Sequence, residues 1–209
     1  MWARWVVGAV LSAAGLAGCG GGDGPDPAET GWQLTVYYTP VEHYHEGTPR
    51  RVVGCRQAVG CERGDDVLGR YPGDFVDAVE LEGNGRLTSG DHAGLVLNWS
   101  AERGFWLDTV PRDAAGGVLR PFVSVGAEPD VLRSGTRFRV EDCGQAADGT
   151  EVADEVCDRI SDARWLVGEP LPTGTGGAKH LDIYVGEESS DAFTDSGWYT
   201  TLVDVELAL

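Results

Sequence analysis

The chain has 209 residues, 42% of them hydrophobic, and carries 34 acidic against 16 basic side chains, a formal net charge of −18. This length allows one domain with a sizeable core. The acidic balance argues against nucleic acid or an anionic membrane surface as a partner, because phosphate binding needs a basic face, and it favours a neutral or cationic ligand.

The N-terminus has the pattern of an export signal. Arg4 precedes an apolar run over 5–16, which has the length of a signal-peptide core and is shorter than the roughly 20 residues that span a bilayer. The run ends in Leu-Ala-Gly-Cys at 16–19, which resembles the lipobox of bacterial lipoproteins, where the cysteine is acylated. An ordinary secretory signal with a chance cysteine is the alternative.

These features predict three parts of the chain. We expect a signal peptide over 1–18, a Gly-rich tether over 19–30 that is lipidated at Cys19, and a single domain over 31–209. The lipid would attach the protein to a membrane of the cell envelope, facing outside the cytoplasm.

The rest of the chain predicts short strands separated by turns. Residues 32–39 alternate in polarity and predict the first strand, 48–70 predicts a disulfide-stapled loop, and Asp74 to Gly83 predicts a short helix. Further strands are predicted at 86–88, 95–99, 122–125, 137–140, 180–185 and 200–207. With 31 glycines and little helical signal, this pattern is typical of a mainly β sandwich or barrel.

Four cysteines remain after Cys19, an even number that predicts disulfides in an oxidising compartment. Three pairings are possible. Cys55–Cys61 with Cys143–Cys157 is preferred because each bond closes a short local loop, and metal binding is the rival interpretation.

Two stretches, 125–140 and 176–186, together with Tyr-Tyr-Thr at 37–39, resemble the three-aspartate (3D) domain. That domain is shared by membrane-bound lytic transglycosylase A and by small exported cell-wall proteins. The segments that carry the resemblance are the Gly135-Thr136 turn with its following strand and the strand Leu-Asp-Ile-Tyr at 181–184. The resemblance implies a six-stranded double-psi β-barrel with short helices and long stapled loops.

The resemblance also implies site residues. Asp182 matches the aspartate of the family's R-x-D strand, and Glu128 stands where the family has its first aspartate. Thr-Gly-Gly at 175–177 is the nearest counterpart of the family's D-T-G-G segment, and Glu169 or Asp162 could supply its carboxylate only after an insertion. Asp182 is therefore the candidate acid/base, assisted by Glu128.

Two functions from different classes follow. The first is a lytic transglycosylase-like enzyme that cleaves the MurNAc–GlcNAc bond of peptidoglycan without water, for which one carboxyl with a raised pKa can be acid and then base. The second is a non-catalytic barrel that binds wall polysaccharide or a protein partner. In that case Asp182 would pair with Arg137 or Arg139, or would bond turn amides. A monomer without a cofactor is expected.

Aromatic side chains are candidates for stacking on sugar rings. The candidates are Trp99, Trp106, Tyr184 and Trp198, and strand alternation around Trp106 suggests that it is exposed. His43 and His45 next to carboxylates could hold zinc, but a polar loop after Pro40 is the favoured interpretation, and no metal site is predicted.

Overall fold

The computed structural model describes residues 28–172, 174 and 176–209, so the predicted signal peptide, the predicted lipidation site Cys19 and most of the predicted tether lie outside the described residues. The strands are β1 (Glu29–Thr39), β2 (Arg50–Cys55), β3 (Asp66–Tyr71), β4 (Asn84–Arg86), β5 (Val96–Ser100), β6 (Gly104–Asp108), β7 (Ser124–Ala127), β8 (Arg137–Asp142), β9 (Gln145–Ala146), β10 (Trp165–Pro170), β11 (His180–Glu187) and β12 (Thr201–Ala208). The α-helices are α1 (Gly73–Glu82) and α2 (Asp154–Asp162). Neither of these helices has the length and apolar character needed to cross a membrane.

Six strands close into a barrel in the order β1–β11–β7–β10–β8–β12 and back to β1. The pairings β1–β11 and β7–β10 are parallel, and the other four are antiparallel. The short β9 pairs with β12 beside the ring. The predicted fold class, mainly β with a six-stranded double-psi barrel, is therefore confirmed.

The barrel interior is filled by alternate residues of its strands, as a strand period of two requires. Leu34 lies opposite Leu181, and Val36 lies opposite Ile183, on the parallel pair β1–β11. Leu34, Leu181 and Ile183 are completely buried. Burial of each such side chain contributes about 1.5–3 kcal/mol, so this register fixes which residues of β1 and β11 point outward.

A second sheet is inserted between β1 and β7. Its five strands follow the order β3–β2–β6–β5–β4, and α1 packs on one of its faces. Phe75 and Val79 of the helix join Leu97 and Leu107 of the sheet in a separate apolar core. Gly85 has room for no side chain, since a Cβ there would lie 2.4 Å from Cγ2 of Val79.

The barrel and the inserted sheet meet through buried polar groups. The Thr39 hydroxyl at the end of β1 hydrogen bonds to Asn84 of β4 and, at 2.5 Å, to the Tyr184 hydroxyl of β11. Just beyond β11, the Glu188 carboxylate accepts the backbone N–H of Val41 at 2.5 Å. These bonds satisfy groups that would be costly to bury unpaired, and they fix the two sheets against each other.

Both preferred disulfides are confirmed. Cys55–Cys61 closes the loop after β2, and Cys143–Cys157 joins the end of β8 to α2. The division into tether and single domain at residue 31 stays a prediction.

The structure differs from the predicted elements at several places, among them β4, which spans Asn84–Arg86 where the sequence predicts a strand at 86–88, and β9, which the sequence does not predict. Residues 48–70 contain β2 and β3, so the stapled loop is confined to the turn between them. The sequence does not predict helix α2 or strand β10, because each is short and has only two buried apolar residues. These are Val156 and Ile160 in α2, and Trp165 and Val167 in β10. Phe122 has φ +58°, and the strand predicted from it begins at Ser124.

Candidate active site

A cleft of about 390 Å³ lies between the barrel and the inserted sheet. Both bodies contribute to its walls. The side chains that matter for chemistry are Tyr37, Glu82, Trp99, Asp113, Glu169 and Asp182. Four of these six are carboxylic acids, so the cleft has a strongly acidic lining.

The barrel places Asp182 in this cleft through the alternation of β11. Leu181 and Ile183 point into the core and are fully buried, so Asp182 between them points outward. The Asp182 side chain is 28% exposed. Thr35 is its register partner on β1, and Tyr37, two residues on, shares the same outward face.

The inserted sheet supplies the opposite wall. Helix α1 ends at Gly83, whose φ of +83° is a left-handed conformation that favours glycine, and this turn presents Glu82 to the cleft. The Glu82 carboxylate accepts the backbone N–H of Tyr38 at 3.2 Å. Trp99 of β5 lines the cleft on the same side.

Several of these carboxyls hold their protons at higher pH than usual. Burial raises the pKa of Asp182, and the charge of the neighbouring His180 opposes that rise. Burial raises the pKa of Glu82 to about 7, against the hydrogen bond from the Tyr38 backbone. Burial, aided by the charge of Asp113, raises the pKa of Glu169 to about 7.

Glu169 also accepts a hydrogen bond from the Tyr37 hydroxyl, at 3.2 Å. This bond favours the charged form of Glu169 and lowers its pKa, but the effect of burial is larger. The cleft therefore contains carboxyl groups that can exchange protons near neutral pH, which is the property required of a general acid or base.

In the part of the chain that the structure describes, no arginine forms an ion pair with Asp182. Its ionic partner within the described residues is His180, whose Nε2 lies 3.2 Å from Oδ1 of Asp182. Arg137 and Arg139, considered from sequence as partners, lie on β8, which does not border β11. The carboxyl is therefore accessible from the cleft.

Glu128 lies at the end of β7 and does not line the cleft. It is buried, and its two carboxylate oxygens accept the backbone N–H groups of Gly174 at 2.7 Å and Gly176 at 3.0 Å. The structure thus places Glu128 as an anchor for the loop that precedes His180.

The predicted aromatic residues do not lie together. Trp99 lines the cleft, whereas Trp106 and Tyr184 are 0% and 1% exposed. Trp198 lines a different cavity, beside Phe122. Trp106 is buried despite its alternation because both faces of the central strand β6 are covered, with Arg103 5.6 Å from its ring.

The two histidines weighed for zinc are used otherwise. The ring of His43 packs on Tyr44 with centroids 3.9 Å apart, and Nε2 of His45 hydrogen bonds to Glu188 at 2.9 Å. Among the described residues, no group of three His, Cys, Asp or Glu side chains is placed to hold a metal ion.

The sequence analysis does not identify Glu82 as a site residue. It gives Glu169 only as one of two residues, with Asp162, that could supply the carboxylate of the family's D-T-G-G segment. Glu82 sits at the end of a helix in the region without resemblance, so no motif marked it. The alternation of Trp165 and Val167 on β10 could have indicated a strand leading to Glu169.

Comparison with known proteins gives a match in fold only. No protein-family model matches the sequence, and neither does any curated protein. The membrane-bound lytic murein transglycosylase from Agrobacterium tumefaciens is similar in structure, with a TM-score of 0.54 and 14% identity over 84% of this chain and 73% of that one. MltA from E. coli, solved with bound chitohexaose, gives a TM-score of 0.50 and 14% identity over 84% of this chain and 70% of that one. At such identities the likeness shows the fold alone.

Proposed function

We propose that the cleft binds the glycan strand of peptidoglycan and cleaves it without water, as a lytic transglycosylase does, with Asp182 as the acid and then the base. One observation carries this proposal. Asp182 is a partly exposed carboxyl on the wall of a cleft, and burial raises its pKa. A carboxyl whose pKa is raised keeps its proton to higher pH than usual, and in that form it can protonate a leaving oxygen.

The reaction needs one proton donor that later becomes the acceptor. Asp182 gives its proton to the glycosidic oxygen as the bond from that oxygen to the anomeric carbon breaks. The 6-hydroxyl of the same sugar then bonds to the anomeric carbon, and its proton passes to the Asp182 carboxylate. The enzyme is restored, water is not consumed, and the product is a 1,6-anhydro sugar.

The rest of the cleft suits a sugar chain. Trp99 from the inserted sheet and Tyr37 from the barrel line it, and aromatic rings offer flat apolar faces to sugars. Glu82 and Glu169 add acceptors for sugar hydroxyls. The fold similarity to an E. coli protein solved with chitohexaose supports a glycan as the ligand.

We also propose the setting in which this activity operates. Acylation of Cys19 would anchor the protein to a membrane, and the Gly-rich segment over 19–30 would hold the domain near the cell wall, outside the cytoplasm. The protein would act there as a monomer without a cofactor.

Incubation of the purified domain with peptidoglycan, followed by mass spectrometry of the soluble products, tests the activity. We expect 1,6-anhydro products from the wild type and a loss of about 100-fold or more in Asp182→Asn, since general acid–base catalysis contributes 10²–10⁴-fold. Asp162→Asn, an exposed change of the same kind on α2, is the matched control and should keep full activity.

Full activity in Asp182→Asn would rule out this residue as the acid. If the wild type binds chitohexaose or peptidoglycan without cleaving it, the protein is the non-catalytic binding module of the alternative hypothesis.

A further inference from the structure

His180 occupies a position between Asp182 and β1. The two residues are separated by one residue on β11, so their side chains share the outward face. Nε2 of His180 lies 3.2 Å from Oδ1 of Asp182 and 2.9 Å from the hydroxyl of Thr35. The imidazole therefore contacts one oxygen of the candidate acid directly.

The other ring nitrogen of His180 is enclosed. The side chain is 12% exposed, and Nδ1 is buried without a hydrogen-bond partner in the part of the chain that the structure describes. Because Nδ1 has no partner there, Nε2 is the ring nitrogen through which His180 bonds its neighbours. An Nε2–H lies on the side of Asp182 and Thr35, where it can donate.

The loop before β11 packs closely against this ring. A Cβ at Gly176 would lie 1.7 Å from Nδ1 of His180, so only glycine fits against the imidazole there. The backbone N–H groups of Gly174 and Gly176 are both held by the Glu128 carboxylate. Contacts thus run from Glu128 through the glycine loop to His180, and from His180 to Asp182.

We propose that His180 is a positioning residue for Asp182, that it donates from Nε2 to Oδ1, and that Glu128 and Gly176 hold its ring in place. The expected effect on activity rests on the proposed function of Asp182. Glu128 would then act indirectly, by holding the loop that packs against His180, and would not contact the reacting atoms. His180 also sets the pH range of the reaction, because a donor to the charged form of a carboxyl favours loss of its proton.

Other titratable groups face Asp182 from the elements packed around it. They are Glu82 of α1, Glu169 of β10 and Tyr37 of β1, and each is affected by the charge of Asp182. None of the three carries a positive charge, and among the described residues it is His180 that lies within hydrogen-bond distance of the Asp182 carboxylate. Removal of His180 should therefore raise the pKa of Asp182.

The deciding experiment is a ¹³C NMR titration of the Asp182 carboxyl in the wild type, His180→Ala and His180→Gln, combined with the pH profile of peptidoglycan cleavage. In His180→Ala we expect the midpoint to move up by about one pH unit. We also expect cleavage to fall about 10- to 100-fold through misplacement of the carboxyl. The alkaline limb of the profile should move up with the midpoint, because the protonated acid persists to higher pH.

Glutamine provides the rescue. Its amide N–H can stand near the position of Nε2, so His180→Gln should restore most of the activity and the midpoint of the wild type. An unchanged midpoint in His180→Ala would overturn the proposal, and so would a His180→Gln variant that behaves as His180→Ala does. The titration needs no turnover, so an inactive wild type would defeat the proposed function and still leave the positioning role decided.

The glycine contact is tested by a matched pair. Gly176→Ala should reproduce the midpoint of His180→Ala, whereas Gly168→Ala, where a Cβ would meet nothing within 4 Å, should match the wild type. Thermal unfolding of each variant shows whether the fold is kept. A folded Gly176→Ala with the midpoint and activity of the wild type would contradict the role of the loop.

Discussion

The barrel and the inserted sheet meet the same cleft but are stabilised differently. Barrel strands form a closed ring of backbone hydrogen bonds around an apolar core. The contact between the two bodies instead contains Glu82, Glu188, Thr39 and Asn84, all bound to partners across it. Apolar burial depends little on pH, whereas buried carboxyls titrate. We therefore expect the stability of this contact to depend on pH more than that of the barrel core does.

Removal of a disulfide should cause the largest change in the free energy of unfolding, and the two disulfides allow the barrel to be compared with the inserted sheet. Cys143–Cys157 spans a sequence separation of 14 in the barrel, and Cys55–Cys61 spans 6 in the inserted sheet. Because a longer loop restricts the unfolded chain more, we expect double serine variants to lose about 3 kcal/mol and about 2 kcal/mol respectively. Urea unfolding of both variants under the same conditions measures the difference. A greater loss at Cys55–Cys61 would mean that the inserted sheet depends on its disulfide more than the barrel does.

Titration of the cleft carboxyls should cause the next largest change in the free energy of unfolding. The pKa values of Glu82 and Glu169, about 7, lie above the ordinary 4.5, so the folded state binds more protons than the unfolded chain between these values. The free energy of unfolding should therefore fall as pH rises from about 4.5 to about 7, by about 1–2 kcal/mol for each group.

Glu82→Gln and Glu169→Gln should flatten this dependence in chemical unfolding measured at several pH values. Glu141→Gln, exposed on β8, is the control and should keep it. A wild type whose stability rises over this range would contradict the assigned direction.

Titration of His45 should cause the smallest change in the free energy of unfolding. Its hydrogen bond to Glu188 raises its pKa above 6.5, so its stabilisation is present below pH 6.5 and is lost as pH rises through the folded value. Because the group is only partly buried, we expect under about 1 kcal/mol. His45→Gln should remove this component from the pH dependence of thermal unfolding, and His43→Gln, on the exposed neighbour, should retain it.

The sequence allows the barrel to be predicted better than the inserted sheet. Alternation is regular along β1 and over the first half of β11, and it indicates correctly that Leu181 and Ile183 fill the core while Asp182 points outward. In the inserted region β2 and β3 are short and rich in glycine and arginine, so their periodicity is weak.

The site is harder to predict than the fold because its parts meet only in three dimensions. Glu82 ends a helix of the inserted region, and Glu169 lies near the end of β10, a barrel strand that does not border β11, so neither shares a sequence pattern with Asp182. The burial of Trp106 shows a second limit. Alternation identifies two faces of a strand, but it does not say whether the outer face is covered.

The pairing of β1 has a consequence for how the chain folds. Its two neighbours in the ring, β11 and β12, are more than 140 positions away in sequence. Proteins with such high contact order fold slowly, because distant segments must meet before either is stabilised. During synthesis β1 would therefore stay unpaired until β11 and β12 have left the ribosome, which favours binding by holdase chaperones in that interval.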